Sequence, residues 1–436
     1  MRFDSRQRLS LILAVLAMAA AGAAQAQIGG VGPGLPTLPG LPGAPSTPLP
    51  DITRPLDGRL LNQVTDVPSR FQDLVRRSRG ALEADPQGWP VVRSEILVMD
   101  MSPEVRDWAA ENGYVILREE RLETLGLTTT VLAPPRRTRL ARAIEQLQSR
   151  DPSMTVEYNH VYAPSGATGE AFGAAATVSL QSDGAARLGL IDTGVDAGHP
   201  SLAGVRLRQR GFSGDARAGA HGTAVASIMV GNDGRFAGVW PGAGLLAADI
   251  YGGRRDGGGS AAFAQALDWL AGEGVTVVNV SLVGPHNAVV ERAVERAQGR
   301  GVTVVAAAGN DGPAAPPLYP ASYDGVVGVS AVSASGRILP EAARGPQVDF
   351  AAPGSDMAAA SPGGGYTSVR GASFAAPVVA AFIARNGGGR TGLSVAMRSA
   401  VDAGERGPDP VYGAGIVGAD LRVEPRAVQA RGRLTN

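Results

Sequence analysis

Four short, almost uninterrupted apolar runs punctuate the chain between residues 186 and 310: ARLGLID closing at Asp192, GLLAADI at Ile250, VTVVNVS at Ser281 and VTVVAAAGN at Asn310. Between them lie HGTAVASIMVG, SAAFAQALDWLAGEG and NAVVERAVERAQGRG, whose periodicity is helical; Val225, Ile228 and Met229 share one face, as do Phe263, Leu267 and Leu270. A strand that is apolar at every position leaves no side for water. It must be covered on both faces, and each helix offers one apolar stripe with which to cover it. The pattern predicts an α/β fold, a parallel sheet between two helical layers. In such a sheet, ligands bind in the crevice beyond the carboxyl ends of the strands.

Residues 91–162 follow another rhythm. EILVMD alternates as a strand, SPEVRDWAAENG reads as a helix opened by Ser102 and Pro103 and stopped by Gly113, and YVILREERLE and LTTTVLA are two more strands. TRLARAIEQLQSRD is a helix with Leu140, Ile144 and Leu147 aligned, and MTVEYNHVY a last strand. The order βαββαβ is that of a small ferredoxin-like α+β unit, an arrangement that assigns no function by itself. Upstream, residues 27–50 are dominated by Gly, Pro and isolated Leu and bury too little to fold. Residues 51–90 turn Arg-rich, with one short helix expected in FQDLVRRSRGALE, and 163–186 are a small, polar junction. The first 26 residues have a basic start, an apolar run and a small-residue AQA site, the layout of an export signal removed after Ala26.

Composition narrows the chemistry. A chain of 436 residues holds two or three domains. Lys plus Arg balances Asp plus Glu at 40 each, which gives no attraction to nucleic acid or to an anionic membrane. With no cysteine there is no thiol nucleophile, lipid-modified Cys or Cys-bound zinc, and the four histidines (160, 199, 221 and 286) include no His-Glu-x-x-His pair.

The distinctive polar residues fall at strand ends and helix starts. Asp192, Ser281 and Asn310 close strands; His221 opens a helix in AHGTAVASI, and Ser373 opens another in RGASFAAPVVAAFIA, with Pro377 expected in its first turn. Taken singly, Asp192 and Asn310 read as turn residues, His221 as a helix-end histidine and Ser373 as an N-cap. Together they supply what a serine nucleophile requires: a base to take its proton and a carboxylate to orient that base.

Residues 187–422 resemble a subtilisin-family serine protease. IDTGVDAGHPSLAG is similar to the family's aspartate segment, HGTAVASI to its histidine segment, AAAGND to its oxyanion segment and GASFAAP to its serine segment; YPASYDGVVGVSAV, VDFAAPG and GPDPVYGAGIV match in order. The resemblance implies a three-layer subtilisin-like domain over 164–423 with a tail at 424–436, preceded by an inhibitory propeptide over 91–163, the uncertain segment 27–90 and the signal. It implies a triad of Asp192, His221 and Ser373, with Asn310 donating to the oxyanion. Ser281, Leu282, Val283, Ala308 and Gly309 would then line the substrate cleft. The product is an exported serine endopeptidase, periplasmic or secreted, made as a zymogen and acting on proteins or peptides, with its own propeptide as inhibitor. No membrane anchor remains in the mature form, and no cofactor is required. Calcium sites are common in the family, but no Asp-rich loop stands out here to supply ligands. The chain departs from the family at Ala372, Phe374 and Ala224, and at Val283, which stands where glycine is usual. The alternative reading is an exported binding protein that keeps the fold without the catalysis.

Overall fold

A computed structural model of the protein describes residues 67–165 and 188–435. The expected export signal, the Pro/Gly-rich spacer and most of the 163–186 junction lie outside the described residues.

The first part runs α1 (Ser69–Arg77), β1 (Leu82–Ala84), β2 (Pro90–Met99), α2 (Pro103–Glu111), β3 (Val115–Leu122), β4 (Leu127–Ala133), α3 (Leu140–Arg150) and β5 (Thr155–His160). The Ser102 hydroxyl accepts the Val105 N–H and caps α2, whose first residue is the Pro103 that the sequence places there. Strands pair antiparallel in the order β5-β2-β4-β3, the ferredoxin-like arrangement, and β1 adds to the outer stretch of β2. On one face Ile96, Val98, Leu132 and Val156 meet Val105, Ala143, Ile144 and Leu147 of the helices. Leu97, Met99 and Val131 point the other way, into the core of the larger domain.

That domain contains β7 (Leu188–Asp192), β8 (Leu207–Gly211), α4 (Ala220–Val230), β9 (Leu245–Asp249), α5 (Ser260–Gly272), β10 (Val277–Val280), β11 (Leu282–Val283), α6 (Ala288–Gly299) and β12 (Thr303–Ala307). β13 (Val327–Val332), β14 (Phe350–Pro353), the hairpin β15 (Met357–Ala360) and β16 (Tyr366–Arg370), α7 (Ala372–Arg385), α8 (Gly389–Ser399) and β17 (Arg433–Thr435) follow. Upstream of β7, at β6 (Ala163–Pro164), the polypeptide already pairs with β11.

Seven strands form one sheet in the order β14-β13-β12-β10-β7-β9-β8, and every pairing is parallel. Side chains alternate between two cores. Leu188, Leu190, Val277 and Val305 face α4 and α7, whereas Ile191, Val278, Val280 and Val304 face α5 and α6. Each such side chain, fully buried, contributes roughly 1.5–3 kcal/mol. The chain begins at β7, adds β8 and β9 on one side and then crosses to β10, β12, β13 and β14 on the other. The switch point therefore lies between β7 and β10.

Two expectations are corrected. α4 has no polar face: every residue from His221 to Val230 is buried, because the helix runs between the sheet, α7 and β15. And Pro377, expected in the first turn of α7, lies in the interior of a helix that begins at Ala372.

Candidate active site

The carboxyl end of β7 delivers Asp192 and the N-terminus of α4 delivers His221, both fully buried. His221 Nδ1 is 2.8 and 2.9 Å from the two Asp192 carboxylate oxygens, one of which also accepts the Thr193 N–H at 2.7 Å. An ionised carboxylate only accepts, so Nδ1–H is the donor and Nε2 is left as the basic atom of the ring. Gly222 makes this approach feasible: a Cβ there would lie 2.2 Å from the Thr193 carbonyl oxygen. The neighbouring strand end holds Asp249, whose carboxyl is pushed up by burial and by the charge of Asp192, against the pull of the N–H groups of Arg217, Tyr251 and Gly252 that it accepts. The other three histidines have different partners: His160 Nε2 meets Asp85, His199 sits between Ser201 and the Gly365 carbonyl, and His286 meets Glu291.

Ser373 enters from α7. The helix is capped by Gly371, whose φ of 132° and ψ of 169° suit glycine alone, so Ser373 is the second helical residue and not the N-cap. The Phe374 ring that follows it lies 5.3 Å from the His221 imidazole. Pro377 explains the fixed position. Having no N–H, it leaves the Ser373 carbonyl without the usual i+4 donor, and the Ser281 hydroxyl donates to that oxygen instead at 2.7 Å. Asn310, just beyond β12, accepts the Ala372 N–H with its Oδ1 at 2.8 Å, which turns its Nδ2 toward the crevice.

That amide is occupied by the chain itself. Asn310 Nδ2 donates to the Ser165 carbonyl at 2.9 Å and reaches the Ser165 hydroxyl at 2.7 Å, while the Ser165 N–H donates to the Ser281 carbonyl at 3.3 Å. Behind it Pro164 and Ala163 pair antiparallel with Leu282 and Val283. The Tyr162 N–H donates to the Gly258 carbonyl, and Val161 bridges Gly259. The end of the ferredoxin-like unit thus lies extended across the strand ends. Val283 is buried with Leu318 beneath Val67 and Phe71 of the α1 region, with Ala163 against them. Ala308 packs on Ala343 and Val348, and the Gly309 carbonyl accepts the Ala343 N–H. Among the described residues, the protease-domain bonds to the main chain of the segment come from Ser281, β11, Asn310, the Tyr251 hydroxyl and the Gly258–Gly259 edge, not from Ala308 or Gly309.

The βαββαβ unit also binds helix ends. Asn159 Oδ1 accepts the Ala261 N–H in the first turn of α5, and Glu157 Oε1 accepts the Ala288 N–H at the start of α6, where its charge also suits the helix dipole. Arg70 of α1 adds a contact that nothing in the sequence marked. It bonds to both carboxylate oxygens of Asp311 and to the Pro164 carbonyl. Ser165 was also missed; its one signal is its place just after a predicted strand, at a small-residue junction.

The model of the subtilase family matches residues 183–415. The chain belongs to the subtilase family. Similar relatives include Subtilisin BL of Lederbergia lenta, 32% identical over 243 residues that make up 54% of this chain and 89% of the relative. Thermitase of Thermoactinomyces vulgaris is 32% identical over 231 residues, 50% of this chain and 81% of the relative. In fold, this subtilase resembles fervidolysin from Fervidobacterium pennivorans, with a TM-score of 0.62 at 21% identity over 78% of this chain and 61% of that one. It is a serine-type endopeptidase, a hydrolase, and the reading as a non-catalytic binding protein gives way.

Proposed function

We propose that this subtilase is exported, is made as an inhibited precursor, and cuts peptide bonds with Ser373, His221 and Asp192. Ser373 Oγ attacks the carbonyl carbon while its proton passes to His221 Nε2. The oxygen, now negative, takes hydrogen bonds from Asn310 Nδ2 and the Ser373 N–H. Collapse breaks the C–N bond, and the same proton goes from His221 to the departing amine; water then cleaves the acyl ester by the reverse sequence. Asp192 keeps the ring in the Nδ1–H tautomer and stabilises its charged form. Protein groups carry every step, so the chemistry calls for no cofactor.

The observation that carries this reading is the Ser165 carbonyl on Asn310 Nδ2 at 2.9 Å, with the Ser165 N–H on Ser281. A carbonyl that accepts from Asn310 Nδ2 supports Ser165 as the residue before the scissile bond. The bond after Ser165 is accordingly the proposed processing site, two residues beyond the boundary expected from the sequence, and residues 67–165 then stay bound as inhibitor. Export rests on the layout of residues 1–26.

The test is expression of the full chain and of Ser373→Ala, with a fluorophosphonate probe and mass spectrometry of the new N-terminus. The parent should label and yield a chain that starts after Ser165; the variant should do neither. Maturation of the variant in a host without other proteases would refute self-processing.

A further inference from the structure

Tyr162, four residues before the proposed cut counting Ser165 as the first, is fully buried although it lies in an extended segment. Its surroundings come from the protease domain. Its N–H donates to the Gly258 carbonyl at 2.9 Å, and its carbonyl accepts the Tyr251 hydroxyl at 2.8 Å. The ring packs at 5.3 Å from that of Phe263. Gly284 closes one wall, where a Cβ would come within 2.8 Å of Tyr162 Cδ1.

The floor of the pocket is polar. The Tyr162 hydroxyl donates to the Pro285 carbonyl at 3.1 Å and lies 3.4 Å from the Tyr323 hydroxyl. Tyr323 is itself fixed, since its oxygen accepts the Asn287 N–H at 3.0 Å and its proton goes to the Asn287 carbonyl at 3.0 Å. An incoming phenol must therefore give its proton to Pro285. Burial pushes both phenols well above their ordinary range, which keeps them as neutral donors.

We infer that this cleft is tyrosine-selective: the pocket of Tyr251, Phe263, Gly284, Pro285 and Tyr323 recognises the hydroxyl as well as the ring of the fourth residue before the cut. The inference rests on the proposal that Ser373 cuts after Ser165. Once residues 67–165 leave, the same pocket receives the substrate's side chain. A phenylalanine fills the ring space but offers the buried Pro285 carbonyl no donor, and a leucine does not reach it. Loss of one hydrogen bond to a buried acceptor corresponds to roughly tenfold to hundredfold in kcat/KM.

The experiment uses enzyme prepared from the full chain, with active sites counted by fluorophosphonate, on peptides X-Ala-Pro-Ser carrying a reporter amine, where X is Tyr, Phe, Leu or Ala. Tyr should exceed Phe by about tenfold or more in kcat/KM, with Leu and Ala lower still. Gly284→Ala, whose new methyl occupies the ring's place, should reduce the Tyr-to-Ala ratio by about tenfold or more. Phe cut as fast as Tyr by labelled enzyme overturns hydroxyl recognition, and Leu or Ala cut as fast overturns the pocket. Enzyme that neither labels nor cuts any peptide overturns the protease reading, and this inference with it.

Discussion

Arg70 and Asp311, 241 residues apart in the chain, form a two-pronged ion pair, Nε and Nη2 each on one carboxylate oxygen at 2.8 and 2.6 Å. Both side chains are mostly buried, and the remaining guanidinium nitrogen holds the Pro164 carbonyl at 3.1 Å. One side chain of α1 thereby ties the segment in the cleft to the loop after Asn310. Removing one partner of such a pair strands the other, so Arg70→Ala should weaken the hold of residues 67–165 by about tenfold or more. Arg70→Lys should rescue only part, since an ammonium lacks the planar fork. The measurement is the lag before full activity after the chain is made; lags equal to that of the parent would show that α1 is not part of the lock.

Asn310→Ala removes the donor on the Ser165 carbonyl. Its kcat should fall by about 10²–10³ with little change in KM, a magnitude taken from the equivalent loss in subtilisin and so borrowed for a relative. Steady-state kinetics on any cut peptide decide it. A loss confined to KM would mean that the amide binds substrate but does not stabilise the oxyanion.

Acid should silence the enzyme before it unfolds it. A protonated His221 has no lone pair with which to accept the Ser373 proton, so the rate should fall as the pH drops from about 8 to about 5. A rate profile flat across that interval, with the fold intact by circular dichroism, would contradict a histidine base.

Val283, expected from the sequence to shape specificity, lies under Val67 and Phe71 with Leu318. Val283→Ala should open a small cavity there and cost the precursor about 1–3 kcal/mol, most of it lost contact with α1. Denaturant melts of the Ser373→Ala precursor, with and without this second change, measure it. A cleavage profile altered with no loss of precursor stability would instead support the specificity role expected from the sequence.

The sheet was legible because β7, β9, β10 and β12 are apolar at nearly every position, and a chain with such strands has few ways to hide them. β8 was not, since LRQRG reads as polar; it is an edge strand with one side in solvent. The reading of Asp192 and His221 as neighbours came from motif order, and the hydrogen bond between them is found. Pro377 misled because proline is usual at a helix start, whereas here an interior proline leaves a carbonyl to Ser281. Arg70, Ser165 and Tyr162 were invisible for another reason. Their significance lies in contacts with residues more than 90 positions away, and no local pattern encodes those.

The carbonyl released by Pro377 has a mechanical consequence. A helix with all its carbonyls engaged internally can slide or rock on the strands it covers, with only side-chain packing to resist. α7 is instead pinned at its second residue by the Ser281 hydroxyl, and Asn310 holds the residue before it through the Ala372 N–H. Two struts, from two strand ends, fix the start of one helix. On the proposal that residues 67–165 leave and Ser373 and Asn310 do the chemistry, these two residues cannot drift independently once the crevice empties, so the site that held its own chain would keep the same spacing for the next one.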